Sequence, residues 1–294
     1  MEGGRAKGDD KARDDLVPRI ISALILVPLA LLAAWLGGLS ATLAVLVIAV
    51  VVFLEWAKLT FPDRAMLAGR AFSPFDPVVI AGLIALAAAA LVAAFGDPLW
   101  SFGGAVVIVV VGAGIVMAFA RSEWLAKGVV LAGQLTFCLI TLRRDPDYGF
   151  AAVVVLLAAV WATDSFAYLV GRTVGGPKLW PRISPKKTWS GAIGGLAGGV
   201  LCGLLASAIL GVPLSVGLAI VLALLSLAAE GGDLYESAVK RRFGVKDASH
   251  LIPGHGGMLD RVDGLLFASL AASLIGLLNA GARAPAIGRG LLLW

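Results

Sequence analysis

Nine apolar stretches of this chain are each close to the length a helix needs to cross a bilayer: residues 17–36, 40–57, 78–95, 102–120, 128–142, 149–170, 190–210, 214–230 and 264–280. A spanning helix takes about 20 mostly apolar residues, because in hydrocarbon each backbone polar group has to find its partner within the protein. Composition agrees. The 294 residues are 60% hydrophobic and 15% charged, against about 25% charged in soluble domains, and mean hydropathy is +0.95. The expected fold class is all-α, a polytopic membrane protein with about nine transmembrane helices. The fifth stretch is the weakest, being short and carrying Gln134.

Four segments follow from this pattern. Residues 1–15, MEGGRAKGDDKARDD, are charged and too poor in apolar side chains to order themselves. Residues 16–142 hold the N-terminal transmembrane helices, 143–280 a C-terminal catalytic transmembrane region, and 281–294 a tail with no functional reading. Basic residues before an apolar stretch also suggest a signal peptide. That stretch is too long and no small-residue cleavage site follows it, so a retained first helix is expected. With the N-terminus cytoplasmic, only Arg143, Arg144, Arg283 and Arg289 of the 24 Lys and Arg fall outside. This is the asymmetry that the bias of basic loops toward the cytoplasm predicts. Arg143 and Arg144 fit it least well. The same bias explains the net charge of +5, which gives no ground for nucleic-acid binding. Cys138 and Cys202 lie inside apolar runs without CxxC spacing. They read as small buried residues rather than a disulfide or a zinc site.

No soluble domain is large enough to work separately, so an active site has to be built at the cytoplasmic helix ends. Two segments stand out there, GRTVGGPKLWPRISPKKTWSG (171–191) and VKRRFGVKDASHLIPGHGGMLDRVDGLL (239–266). Asp233 and Glu236 are three apart, as are Asp260 and Asp263, so each pair shares a helix face. Glu230 and Asp247 lie nearby. A capping role or a solvated loop edge accounts for any one of these acids, but much less well for the set. Acids from two helix ends, completed by water and substrate oxygens, suit Mg²⁺. Lys240, Arg241, Arg242 and Lys246, with Lys186 and Lys187 of SPKKTW, are interleaved with them. Membrane anchoring explains some of these bases; beside a metal, Lys and Arg also suit a polyphosphate. His255 lies in PGHGG, which is either a flexible turn or a place where a ligand nears the main chain. Asp164, inside the sixth stretch, serves either a hydrogen bond to a neighbouring helix or the site itself. GAIGGLAGG has no following Lys and reads as close helix packing, not a phosphate loop. GxSxG and HExxH motifs are absent.

Residues 237–263, SAVKRRFGVKDASHLIPGHGGMLDRVD, resemble the signature of the phosphatidate cytidylyltransferase (CDP-diacylglycerol synthase) family. The matching positions are Ser237, Lys240, Arg241, Lys246, Asp247, His255, Gly256, Gly257, Asp260, Arg261 and Asp263. GDLYES (232–237) is similar to the family's GDLFES, and TDSFAYLVGR (163–172) and PRISPKKTWSGAIGG (181–195) match further. Together these cover roughly the C-terminal half; the N-terminal half is similar only in being hydrophobic. Tyr235 stands where Phe is usual and Ser190 where Glu is common.

The resemblance implies transfer of a cytidylyl group from CTP to phosphatidic acid in phospholipid biosynthesis, giving CDP-diacylglycerol and pyrophosphate. It implies Mg²⁺, with a second, monovalent cation such as K⁺ sharing the site. The implied metal ligands are Asp233 and Asp260, with Asp263 assisting. Lys240, Lys246, Asp247, His255 and Arg261 complete the expected catalytic set. Ser184, Lys186, Lys187, Thr188, Arg241 and Asp164 are expected to bind substrate. It further implies a homodimer, and composition with resemblance points to a bacterial inner membrane with the active site cytoplasmic. Two rivals are weighed. A transporter built around Asp164 would carry internal repeats and midplane charges, whereas no repeat is evident and the charges gather at one surface. A CDP-alcohol phosphotransferase would need an Arg and later acids that DGLLFAS lacks.

Overall fold

A computed structural model describes residues 24–60, 72–97, 100–249, 251, 256–280 and 286–294. Residues 1–23, which include the start of the first expected span, lie outside that set, as do both histidines, His250 and His255. The described chain is a helical bundle. Its helices are α1 (Leu24–Leu36), α2 (Gly38–Leu59), α3 (Pro77–Phe95), α4 (Ser101–Ala120), α5 (Glu123–Arg143) and α6 (Gly149–Thr173), then α7 (Trp189–Ile209), α8 (Val216–Arg242), α9 (Leu259–Asn279) and the short α10 (Ile287–Leu292). Among the described residues eight of these, α2 to α9, are long and apolar enough to cross a membrane. The protein is an all-α polytopic membrane protein.

Helix ends are set by familiar local chemistry. Asp76 accepts from the Val78 N–H with Pro77 in the first turn, and Ser122, Thr188 and Ser215 cap α5, α7 and α8 in the same way. The weakly hydrophobic fifth stretch is the centre of the bundle. Of its most apolar window 89% is buried, against 28% for α4, so it faces protein rather than lipid and needs less hydropathy. Its Gln134 donates to the Leu266 carbonyl of α9 at 3.1 Å. The awkward arginines at its end are helix caps. Arg143 donates to the Ala34 and Trp35 carbonyls at the end of α1, and Arg144 to the Ala93 and Gly96 carbonyls at the end of α3. Both satisfy carbonyls that a helix terminus leaves without partners.

Two boundaries differ from the sequence expectation in a way that matters. The eighth and ninth apolar stretches were placed at 214–230 and 264–280; the helices run beyond them, α8 to Arg242 and α9 from Leu259. Asp233, Glu236, Asp260 and Asp263 are therefore on helices, as their spacing of three requires, while Asp247 lies in the connection between them. Segment 171–191 also contains a two-stranded antiparallel hairpin, β1 (Lys178–Trp180) and β2 (Ser184–Thr188), which pairs Lys178 with Thr188 and Trp180 with Ser184. Both cysteines are free, Cys138 buried and Cys202 half-buried.

Candidate functional site

Small residues bring α8 and α9 together where the acids lie. A side chain at Gly232 would run into the Asp263 carbonyl, and one at Gly264 would touch Ala229 at 3.3 Å. This closeness lets Asp233 and Glu236, one turn apart on α8, converge with Asp263 of α9. One carboxylate oxygen from each lies within 4.8 Å of the others. Glu236 is only 3% exposed. Its Oε2 is 2.6 Å from Lys240 Nζ, which is also 2.6 Å from Asp260 Oδ1. Asp233 Oδ2 is 2.5 Å from Lys187 Nζ, and its Oδ1 accepts from Ser237 Oγ. Among the described residues three buried carboxylate oxygens accept no hydrogen bond: Glu230 Oε1 and both oxygens of Glu236, of which Oε2 has the ion pair with Lys240.

Above these acids opens a cavity of about 660 Å³, whose walls come from α6, the hairpin, α7, α8 and α9. That is the size range of small-molecule sites. Asp164 of α6 reaches it, nine residues before the helix ends at Thr173, and Asp233 stands nine residues before Arg242. At 1.5 Å per residue both acids lie about 13 Å below their helix ends. Tyr168, Arg172, Lys178 and Lys186 line the outer part.

The α6–α7 wall is held by the glycine-rich run of α7. A Cβ at Gly195 would meet the Thr163 carbonyl and Glu230 Oε1, both at 2.8 Å, and one at Gly191 the Ala167 carbonyl at 2.8 Å. Close packing is thus the use of GAIGGLAGG. Thr188 ends β2 and starts α7, its hydroxyl accepting from the Gly191 N–H at 3.1 Å. Ser190 donates to the Gly175 carbonyl, closing the turn before the hairpin.

A sequence model of the cytidylyltransferase family matches residues 17–278 of this chain. The chain belongs to that family. It is 39% identical over 274 residues to a phosphatidate cytidylyltransferase of Brucella suis, covering 92% of this chain and 97% of the relative. A phosphatidate cytidylyltransferase of Bacillus subtilis is 36% identical over 150 residues, 51% of this chain and 56% of the relative. One from Thermotoga maritima is 41% identical over 135 residues, 44% and 50% of the two chains.

In this cytidylyltransferase the cavity gathers Asp164, Lys186, Lys187, Thr188, Asp233, Lys240, Asp247, Asp260, Arg261 and Asp263 from the residues singled out in the sequence. Ser184, Arg241 and Lys246 are not among its lining residues. Ser184 pairs with Trp180 in the hairpin, and Arg241 reaches the Ile183 and Val245 carbonyls. His255 is outside the described residues. Asp260 lines the cavity but spends its oxygens on Lys240 and on the Ala248 and Gly257 N–H groups. The third acid beside Asp233 and Asp263 is Glu236, which the sequence reading counted among the candidate acids but did not name as a metal ligand. Glu230 lines the same cavity. Glu55 was missed altogether. It is the one acid in the apolar stretch 40–57, and an ionisable group in such a stretch is the signal that could have found it.

Proposed function

We propose that this chain is a phosphatidate cytidylyltransferase, moving the cytidylyl group of CTP onto phosphatidic acid to give CDP-diacylglycerol and pyrophosphate. The observation that carries this reading is the carboxylate cluster of Asp233, Glu236 and Asp263 under a cavity bordered by Lys186, Lys187, Lys240 and Arg261. Membership of the family and similarity to the Brucella suis protein along nearly the whole chain support it.

An oxygen of the phosphatidate phosphate attacks the α-phosphorus of CTP, the α–β anhydride bond breaks, and pyrophosphate leaves. The attacking oxygen is already anionic, so the protein supplies position and charge rather than a strong base. The clustered oxygens suit a hard divalent cation, and the partnerless Glu236 Oε1 is what such an ion would satisfy. Asp233, Glu236 and Asp263 would hold Mg²⁺, with Asp260 alongside through the Lys240 it shares with Glu236. When bound, the ion neutralises charge on the triphosphate. Glu230 Oε1, buried and without a partner, offers an oxygen to a second, monovalent cation such as K⁺. Lys187 and Lys240 bind phosphate oxygens at the floor; Arg172, Lys178, Lys186 and Arg261 do so nearer the mouth. Tyr168, Trp189 and Ile193 are exposed apolar groups of α6 and α7 beside it, where acyl chains can remain in the bilayer. We place the mouth at the cytoplasmic face of a bacterial inner membrane, on the charge bias, and take the chain as a homodimer, on the family resemblance.

A transporter built on Asp164 is not favoured, since Asp164 lines the same cavity as the acid cluster. The test is transfer of label from radioactive CTP into the organic phase by purified protein in micelles with phosphatidic acid, in Mg²⁺ or in EDTA. Label in lipid only with Mg²⁺ supports the proposal. Folded protein that transfers none, across lipids and ions, overturns it.

A further inference from the structure

We propose that Glu55, on a helix of the N-terminal half, is a positioning residue for the active-site acids: it caps α9 from outside and sets the turn that leads into Asp260 and Asp263. The proposal rests on the reading of those acids given under Proposed function.

Glu55 lies one turn before the end of α2 and is 6% exposed. A buried carboxylate is expensive unless it is hydrogen-bonded. Glu55 is bonded three ways: its Oε1 accepts from the Met258 N–H at 3.0 Å and from Ser249 Oγ, and its Oε2 accepts from the Leu259 N–H at 2.7 Å. Met258 is the N-cap of α9 and has no side-chain cap to offer, while Leu259 is the first residue of that helix. The first N–H groups of a helix have no partner within it, and a negative charge there is favourable. Glu55 does for α9 what Ser122 and Ser215 do for their own helices, but from another part of the chain.

The connection between α8 and α9 is therefore held at two places by two acids. Midway along it, Ser249 is bound to Glu55 and the Ala248 N–H donates to Asp260. At its end, Gly257, Met258 and Leu259 donate to Asp260, Glu55 and Glu55 in turn. This arrangement explains two glycines. Gly256 has φ +88°, a region side chains avoid. A Cβ at Gly257 would stand 2.8 Å from Glu55 Oε2. The platform under Glu55 is itself fixed: neighbouring Trp56 donates to the Trp124 carbonyl at 2.6 Å and stacks on Tyr235 of α8. Asp260 follows Leu259 directly and Asp263 one turn later, so a shift of this first turn moves both.

The experiment is Glu55→Gln in the full chain in detergent micelles. The side chain keeps its shape, but the oxygen that becomes the amide nitrogen now sets a donor against a backbone N–H donor, that of Met258 or of Leu259, and only the other oxygen goes on accepting. Hydrogen–deuterium exchange across residues 256–263 should quicken about tenfold or more while the other helices exchange as in wild type. The half-saturating Mg²⁺ concentration should rise and turnover per folded molecule fall, together about ten- to a hundredfold, as for other outer-shell partners of metal ligands. Gly257→Ala, pressing on the same carboxylate from the loop side, should reproduce both effects even where Glu55→Gln folds poorly. Unchanged exchange at 256–263 in a folded variant overturns the tether. Faster exchange with unchanged Mg²⁺ dependence and turnover also overturns the proposal, since Glu55 would then be a stability cap alone. If the wild type transfers no cytidylyl group, the functional reading falls by itself and the exchange result still decides the tether.

Discussion

Gly231 and Gly232 are adjacent on α8, and substituting each by alanine separates packing from helix propensity. In a helix Gly→Ala gains about 1 kcal/mol where nothing obstructs the methyl. At Gly231 nothing lies within 4 Å of the added Cβ, so Gly231→Ala should leave turnover intact and raise thermal stability slightly. At Gly232 the methyl finds Phe267 Cδ2 at 3.0 Å and Asp263 C at 3.2 Å, with the Asp263 carbonyl oxygen closer still. Carbon contacts relax at about 3.5 Å or more. Overpacking of this kind costs about 1–3 kcal/mol, which outweighs the propensity gain because the obstacle is backbone and cannot rotate away. The larger effect is on chemistry. The backbone displaced belongs to Asp263, and a misplacement near 1 Å costs roughly a hundredfold in rate. The assay is turnover per folded molecule, with folding followed by thermal denaturation in the same detergent. Gly232→Ala with wild-type turnover, or Gly231→Ala as damaging as its neighbour, refutes the claim that helix approach at this point sets the site.

Three further outcomes are expected. Asp260→Asn should lower turnover by more than about a hundredfold while leaving a detergent-stable fold, because it breaks the bond to Lys240 but not the helix; wild-type activity would remove Asp260 from the site. Changing Lys186 and Lys187 together to Ala should raise the half-saturating CTP or phosphatidate concentration about tenfold, or about 1.4 kcal/mol, and unchanged saturation curves would return both to membrane anchoring. Arg144→Ala, which uncaps α3, should cost about 1–3 kcal/mol of stability with turnover per folded molecule unchanged; altered substrate dependence would contradict a purely structural role.

The acids were legible in the sequence because charge inside apolar sequence is conspicuous, and i, i+3 spacing puts Asp233 and Glu236 on one helix face. Which acid completes the trio was not legible. Asp260 and Asp263 share a face as well, and only the turn at 256–259 decides that Asp260 faces Lys240 and the backbone amides while Asp263 joins Asp233. The helices outrun the apolar stretches for a related reason. Hydropathy counts charge against a span, yet α8 and α9 continue through their charged turns, where Lys240 of α8 pairs with Asp260 of α9 across the helix contact. Arg143 and Arg144 show the converse, charges that look like loop residues but serve as caps on neighbouring helices. Glu55 escaped because its partners are about two hundred residues away, and long-range partners leave no local pattern.

The depth of the site follows from the chemistry it is proposed to serve. A lipid phosphate stays near its chains, so transfer without extracting the lipid requires the triphosphate to come down to it. Acids this deep are costly in hydrocarbon, and several carboxylates in and around the site are offset by a neighbour: Asp233 by Lys187, Glu236 and Asp260 by Lys240, Glu55 by two backbone amides and Ser249. Glu230 Oε1 and Glu236 Oε1 accept no hydrogen bond; Glu230 lines the cavity, and Glu236 lies beside Asp233 and Asp263 of its lining. Among the described residues the buried oxygens without a hydrogen-bond partner thus gather where cations and substrate would enter. An enzyme whose site is completed by its ligands needs the remaining partners held firmly, and that is the use of a carboxylate from α2 and of a glycine at each close approach of α8 and α9.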